Sequence, residues 1–98
     1  MSPTRSNAPS VKLWIAVGKL IVDVDIPLEE MGHPQFQRGK EESSRGYRAP
    51  RQTDLAYRLG FHFFKQRTAK YREPFEMTGE GIATVEDAQR RIHDALRN

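Results

Sequence analysis

The sequence lacks several features that would assign it to a common functional class. It contains no cysteine, which excludes disulfide bonds, thiolate nucleophiles and cysteine-ligated zinc. Its longest apolar run, Leu13–Val17, is far shorter than the roughly 20 residues that a membrane-spanning helix needs. The first ten residues are polar and lack the hydrophobic region of a signal peptide. We therefore expect a flexible tail over residues 1–10, no membrane association and a cytoplasmic location.

Catalytic and metal-binding motifs are also missing. The three histidines are far apart, and no glycine-rich phosphate-binding loop is present. One candidate metal site combines carboxylates with an imidazole: Asp23, Asp25, Glu29 and His33. A simpler interpretation pairs Asp25 with Lys12 and leaves Glu29 and Glu30 in solvent. The sequence therefore favours a protein that is not an enzyme and has no metal or other cofactor.

Two apolar stretches near the N-terminus predict a β-hairpin. Residues 11–17 and 20–26 alternate in hydrophobicity and flank Gly18-Lys19, a dipeptide that suits a two-residue type II′ turn. This register pairs Val17 with Leu20 and sorts eight apolar residues onto one face. The opposite face pairs Ala16 with Ile21, Trp14 with Asp23, and Lys12 with Asp25. A shift of one residue would destroy this sorting, so the register is well specified.

Helix signals follow later in the chain. A central helix is expected from an N-cap at Thr53 to about Arg72, with Gly60 marking close packing against the hairpin. A last helix is expected after Thr84, whose hydroxyl would cap the backbone of Asp87. Phe75 to Met77 can form a short extended segment between them.

The predicted fold class is α+β, with an N-terminal antiparallel β-hairpin packed by two helices in the order ββ-loop-α-(β)-α. Residues 11–98 form a single small domain. Residues 32–52 show no periodicity and are rich in glycine, proline, serine and charge, so we predict a long, mobile, basic loop there.

Positive charge is concentrated in the middle of the chain. The formal net charge is +3, yet residues 38–72 carry ten cations against three anions, and the rest carries six cations against ten anions. Such a segment attracts polyanions or acidic protein surfaces. The alternative is a solvated basic surface with no partner.

The central helix places cations beside aromatic rings. Arg58, Lys65 and Arg72 recur every seven residues and form one line, with Tyr57 and Tyr71 on the adjacent arc. We expect Phe61 and Phe64 to be buried in the core, and leave open whether the two tyrosines are exposed. The charges at Arg67 and Lys70 fall on the core side, which predicts that the helix leaves the body of the domain after about Phe64 or ends there.

Residues 45–51 repeat this combination of arginine and tyrosine and resemble a flexible recognition arm that orders on binding. The candidate binding residues are Arg45, Tyr47, Arg48, Arg51, Tyr57, Arg58, Lys65, Lys70, Tyr71 and Arg72.

Two main functions fit these features, and a structural or ribosome-associated subunit with the same basic patch is a third possibility. The first is a non-enzymatic module that binds nucleic acid, or a complex that handles it, by phosphate contacts and base stacking. The second is a protein inhibitor or regulator that docks on an acidic surface of a host enzyme, for example a nuclease or helicase complex, without binding free nucleic acid. The small size and basic loop are typical of accessory proteins of phages and other mobile elements. No helix-turn-helix, RNP or zinc-finger motif is present, and the pattern does not define the oligomeric state.

Overall fold

The computed structural model describes residues 9–47, 54–68, 73–77 and 81–97. Its elements follow the order β1 (Ser10–Val17), β2 (Leu20–Pro27), a 3-10 turn (Leu28–Gly32), α1 (Pro34–Ser44), α2 (Leu55–Thr68), β3 (Phe75–Glu76) and α3 (Val85–Arg97). The predicted α+β class and N-terminal hairpin are confirmed. Within the described part of the chain, none of the helices combines the length and apolar character that a membrane crossing requires.

The hairpin has the predicted register throughout. Val17 lies opposite Leu20, and Val11 lies opposite Ile26. Gly18 has a φ of +62°, the left-handed conformation that the first position of a type II′ turn requires and that glycine adopts without steric cost. The inner face of the hairpin forms much of the core, with its buried residues at Leu13, Ile15, Val17, Val24 and Ile26.

The far side of β1 is covered by a parallel strand and by side chains of α2. In the sheet order β2-β1-β3, Ile15 pairs with Phe75 and Ala16 pairs with Glu76. Below that short ladder the Gln66 side chain takes the place of a strand residue. Its Oε1 accepts from the backbone N–H of Trp14 at 2.9 Å, and its Nε2 donates to the carbonyl of Trp14 at 2.9 Å.

Helix α1 corrects the prediction of a long loop over residues 32–52. Pro34 occupies the first helical turn, and the Nδ1 atom of His33 caps the helix by accepting from the backbone N–H of Gln35 at 3.0 Å. Gly46, with a φ of +79°, ends it. Only Phe36 and Gly39 of this helix are buried, so its sequence lacks the repeated apolar residues by which a helix is usually predicted.

Two glycines let α1 and α2 cross in backbone contact. A Cβ atom on Gly60 would overlap the carbonyl group of Phe36, with the carbonyl carbon at 2.8 Å. A Cβ on Gly39 would lie 2.9 Å from the backbone nitrogen of Phe61 and still closer to the carbonyl oxygen of Tyr57. Gly60 therefore marks close packing, as predicted, but against α1 and not against the hairpin.

The described part of α2 differs from the prediction in two respects. The Asp54 carboxylate caps the helix by accepting from the backbone N–H of Tyr57 at 3.1 Å, where the prediction gave this role to Thr53. Thr53 and residues 69–72 lie outside the described residues. The helix does not leave the body after Phe64, because Gln66 is buried and Arg67 donates to the carbonyl of Lys12.

Helix α3 matches the prediction and is fastened at its C-terminal end. The Thr84 hydroxyl accepts from the backbone N–H of Asp87 at 3.1 Å. The Glu30 carboxylate, predicted to be solvated, is buried and accepts from Arg97 at 3.0 Å, while its other oxygen lies 2.7 Å from the Nδ1 atom of His93. A buried carboxylate needs such partners, so this cluster joins the 3-10 turn to α3.

Candidate polyanion-binding face

Three residues of α2, Arg58, His62 and Lys65, form a polar stripe that faces solvent. Arg67 and Thr68, at the end of the helix, are also exposed. Most of the other side chains of the helix are buried against the hairpin on one side and against α1 on the other. The stripe residues recur at i, i+4 and i+7, which places them on one face. Lys65 is exposed, whereas Arg58 and His62 are half-buried. We call these three residues the α2 stripe.

The cations of the stripe are supported by aromatic rings beneath them. The guanidinium carbon of Arg58 lies 5.6 Å from the centre of the Phe75 ring, and the Nζ atom of Lys65 lies 5.8 Å from the centre of the Phe61 ring. Both are cation–π distances. Phe61 and Phe75 are buried. The aromatic residues therefore hold the cations in place and do not offer free faces to a ligand.

The pKa of His62, the middle residue of the stripe, depends on its burial and on the charges around it. Its ring packs edge-on to Phe75, with 5.1 Å between ring centres. Burial lowers the pKa of His62, and the neighbouring charge of Lys65 lowers it further. The charge of Glu73 opposes this shift, and Arg58 adds a smaller lowering contribution. Sequence reasoning missed His62 as part of this face, although its spacing of four residues from Arg58 was a usable signal.

Tyr57, left open between exposure and burial, is buried and unavailable as a stacking platform. It is fully inaccessible to solvent, and its hydroxyl donates to the Glu42 carboxylate at 2.5 Å. Burial, followed by this hydrogen bond, raises the pKa of Tyr57 to about 12. The hydrogen bond from Tyr57 in turn lowers the pKa of Glu42. Phe61 is buried as predicted, and Phe64 is half-buried.

Two of the three cations in or directly after α1 are paired with carboxylates of that helix, and Lys40 forms no ion pair with a described residue. Arg38 pairs with Glu42 at 3.2 Å, and Arg45 pairs with Glu41 at 2.9 Å. Arg45 is the C-cap of α1, so this residue and Tyr47 do not belong to an arm without fixed structure. The backbone N–H of Tyr47 donates to the carbonyl of Glu42 at 3.1 Å, and its side chain is exposed.

Half of the predicted binding residues lie outside the described residues: Arg48, Arg51, Lys70, Tyr71 and Arg72. The structure does not bring Arg45 or Tyr47 into the α2 stripe. Of the candidates, Arg58 and Lys65 share one face as predicted.

The metal interpretation receives no support from the described residues, among which no three side chains are grouped as metal ligands. Asp25 pairs with Lys12 at 2.8 Å, as predicted. The Nδ1 atom of His33 is engaged in capping α1.

No protein-family model matches the chain, and no curated protein or solved structure is detectably similar to it.

Proposed function

We propose that this protein is a non-enzymatic nucleic-acid-binding module whose α2 stripe contacts the phosphate backbone. The observation that carries the proposal is the contrast between two helices. The α1 cations Arg38 and Arg45 are paired with carboxylates, whereas Lys65 has no ion pair among the described residues and stands with Arg58 over aromatic rings. A cation already held in position loses less side-chain entropy when it meets a phosphate.

Phosphate contact, and not base stacking, is the mode that this face supports. The rings beneath the stripe are covered, and Tyr57 is buried. Arg58 and Lys65 are seven positions apart on the helix, a rise of about 10 Å, which corresponds to roughly three nucleotides of one B-DNA strand. Binding of this kind is insensitive to base sequence and sensitive to salt.

Four further cations, at Arg48, Arg51, Lys70 and Arg72, belong to the segments that precede and follow α2 in the chain. They lie outside the described residues, so the proposal does not depend on their positions. Their charge adds to the attraction for a polyanion at long range.

The second candidate is docking on an acidic protein surface. It is favoured by the burial of Tyr57 and Phe61, because a face without stacking rings lacks one of the two components typical of single-strand binding. A regulator of this kind would use the same cations and would retain its partner after nucleic acid is digested.

The direct test compares two variants of equal charge change. Arg58→Gln with Lys65→Glu alters the stripe; Arg90→Gln with Arg91→Glu alters two exposed cations of α3. Glutamine is chosen at position 58 because the Nε atom of Arg58 is buried. Fluorescence anisotropy with a labelled duplex should show at least about tenfold weaker binding for the stripe variant. The α3 variant should stay close to the unmodified protein.

Salt dependence provides the second readout. Loss of two phosphate contacts should reduce the slope of log K against log salt by about 2. If both variants bound the duplex equally weakly, the loss would be explained by net charge alone, which would contradict binding at the α2 stripe. If the protein retained one partner protein from a nuclease-treated lysate and had no affinity for the duplex, nucleic-acid binding would be rejected in favour of docking on an acidic protein surface.

A further inference from the structure

The outer edge of β2 is an open sheet edge within the described residues. β2 is the terminal strand of the order β2-β1-β3. On β1, the backbone groups of Trp14 and Ala16 point away from β2, because they bond to Gln66 and Met77. Their partners across the ladder, Asp23 and Ile21, therefore direct their own N–H and C=O groups outward, as the alternation of an antiparallel pair requires.

Apolar surface accompanies this edge. Leu20 and Ile21, the first two residues of β2, are each 60% exposed. The far side of β1, in contrast, is covered by β3, Gln66 and Arg67. An open edge with exposed apolar side chains readily accepts another strand.

The charges along β2 fit a second copy of the same strand. Lys19 lies in the turn directly before β2, whereas Asp23 and Asp25 lie within the strand. A two-fold axis through Ile21 sets Ile21 opposite its equivalent and sets each Lys19 opposite the Asp23 of the other copy. An axis through Val24 would instead set Asp23 opposite Asp25 and bring four carboxylates together, which is unfavourable.

We infer that two copies of this chain associate through antiparallel pairing of their β2 strands about Ile21, forming one continuous six-stranded sheet. Asp23 is available for the contact because it forms no ion pair with a described residue, while Asp25 is occupied by Lys12. The interface is isologous, so every contact occurs twice. The overlap of residues 19–23 is short compared with the surface of about 1,200 Å² that stable complexes bury, and the dimer is therefore weak and concentration-dependent.

A charge-swap experiment tests the pairing without disturbing the core, because Lys19 and Asp23 are exposed. Sedimentation equilibrium of the nuclease-treated protein over a concentration series should show its mass rising toward that of two chains. Lys19→Asp alone places aspartate against Asp23 in both contacts, and Asp23→Lys alone places lysine against Lys19. Each should weaken association about tenfold or more.

Mixing the two variants should restore association to the level of the unmodified protein. In the mixed dimer, both contacts again join a cation to a carboxylate. A merely local effect on the hairpin turn could not be rescued by the other chain. A monomer at every concentration would overturn the inference, and so would Asp23→Lys associating like the unmodified protein or a mixture no stronger than its components.

Discussion

At the scale of single residues, Gln66 shows how one side chain can substitute for a strand. It is buried and forms three hydrogen bonds, two with the backbone of Trp14 and one, at 3.0 Å, with the carbonyl of Glu73. The helix thereby satisfies a strand edge that would otherwise lose its hydrogen bonds in a buried place. The polar residue on the inner arc of α2 is thus a structural requirement of β1.

Replacement of this side chain should be costly. We expect Gln66→Ala to lower the free energy of unfolding by about 3 kcal/mol, because buried backbone groups are left unpaired. Chemical denaturation measures the change. The control is Gln89→Ala on α3, which should stay within about 0.5 kcal/mol, and a similar loss at both positions would refute the role of Gln66.

The Gln66→Glu variant adds a dependence on pH. A carboxylate can accept from Trp14 but cannot donate to the carbonyls of Trp14 and Glu73, so the variant should be destabilised at neutral pH. Protonation restores one donor and is favoured by folding, which raises the pKa of the introduced group in the folded state. The defect should therefore shrink as pH falls, and unfolding curves at pH 4 and pH 7 should show it.

Tyr57 and Glu42 form a second pair that can be tested by titration. In Tyr57→Phe the main cause of the lowered Glu42 pKa is removed, so we expect this pKa to rise, as NMR of the Glu42 carboxyl would record. In the unmodified protein the pair stabilises the fold above the unfolded pKa of Glu42, and this contribution is lost as pH falls through the folded value. Tyr47→Phe, at an exposed tyrosine, should leave the Glu42 pKa unchanged.

Sequence reasoning correctly predicted that Arg58 and Lys65 share a face, because spacing along a helix fixes direction. It left Tyr57 open, because a helical wheel gives angles but does not show how many neighbours a helix has. With α1 packed on its second side, α2 buries the arc that carries Tyr57 and Phe61. Only the narrow remainder reaches solvent.

At the scale of elements, the crossing of α1 and α2 depends on glycine at both contact points. Helix propensity alone would assign Gly60→Ala a gain of about 1 kcal/mol. The structure reverses the sign, because the added Cβ overlaps the Phe36 backbone. We expect a loss of about 3 kcal/mol in the free energy of unfolding.

Gly32→Ala is the matched control for this prediction. A Cβ atom at Gly32 meets nothing within 4 Å, so the substitution should change stability little. If Gly60→Ala proved as stable as the unmodified protein, the two helices could not lie in backbone contact.

The hairpin and α1 mark the two extremes of what the sequence could predict. In the hairpin, the glycine turn and the alternation of apolar residues in both strands specify the same register, so it could be predicted. In α1, the inward face is small and the remaining signals are local: proline in the first turn, ion pairs four residues apart, and a terminal glycine. A search for repeated apolar residues does not detect such a helix, although its caps and ion pairs were visible.

At the scale of the whole molecule, fewer cations are available to contact a polyanion than the charge of the sequence suggests. The ten cations of residues 38–72 divide among α1, where carboxylates offset two of them, the α2 stripe, the end of α2 and the segments outside the described residues. The face proposed for phosphates lies on α2, and the edge proposed for self-association lies on β2. Pairing of two chains would present two such stripes on one assembly and strengthen binding to a long polyanion.

The central claim is that the α2 stripe receives a polyanion, and the pKa of His62 tests it most directly. NMR titration of the imidazole, free and saturated with a short DNA duplex, provides the measurement. Burial is the largest cause of the lowered pKa, and the charges of Lys65 and Arg58 add to it. Phosphates beside these two cations would offset their contribution, so we expect the pKa to rise in the complex. A His62 pKa that stays unchanged at saturation would place the bound DNA elsewhere and contradict the claim.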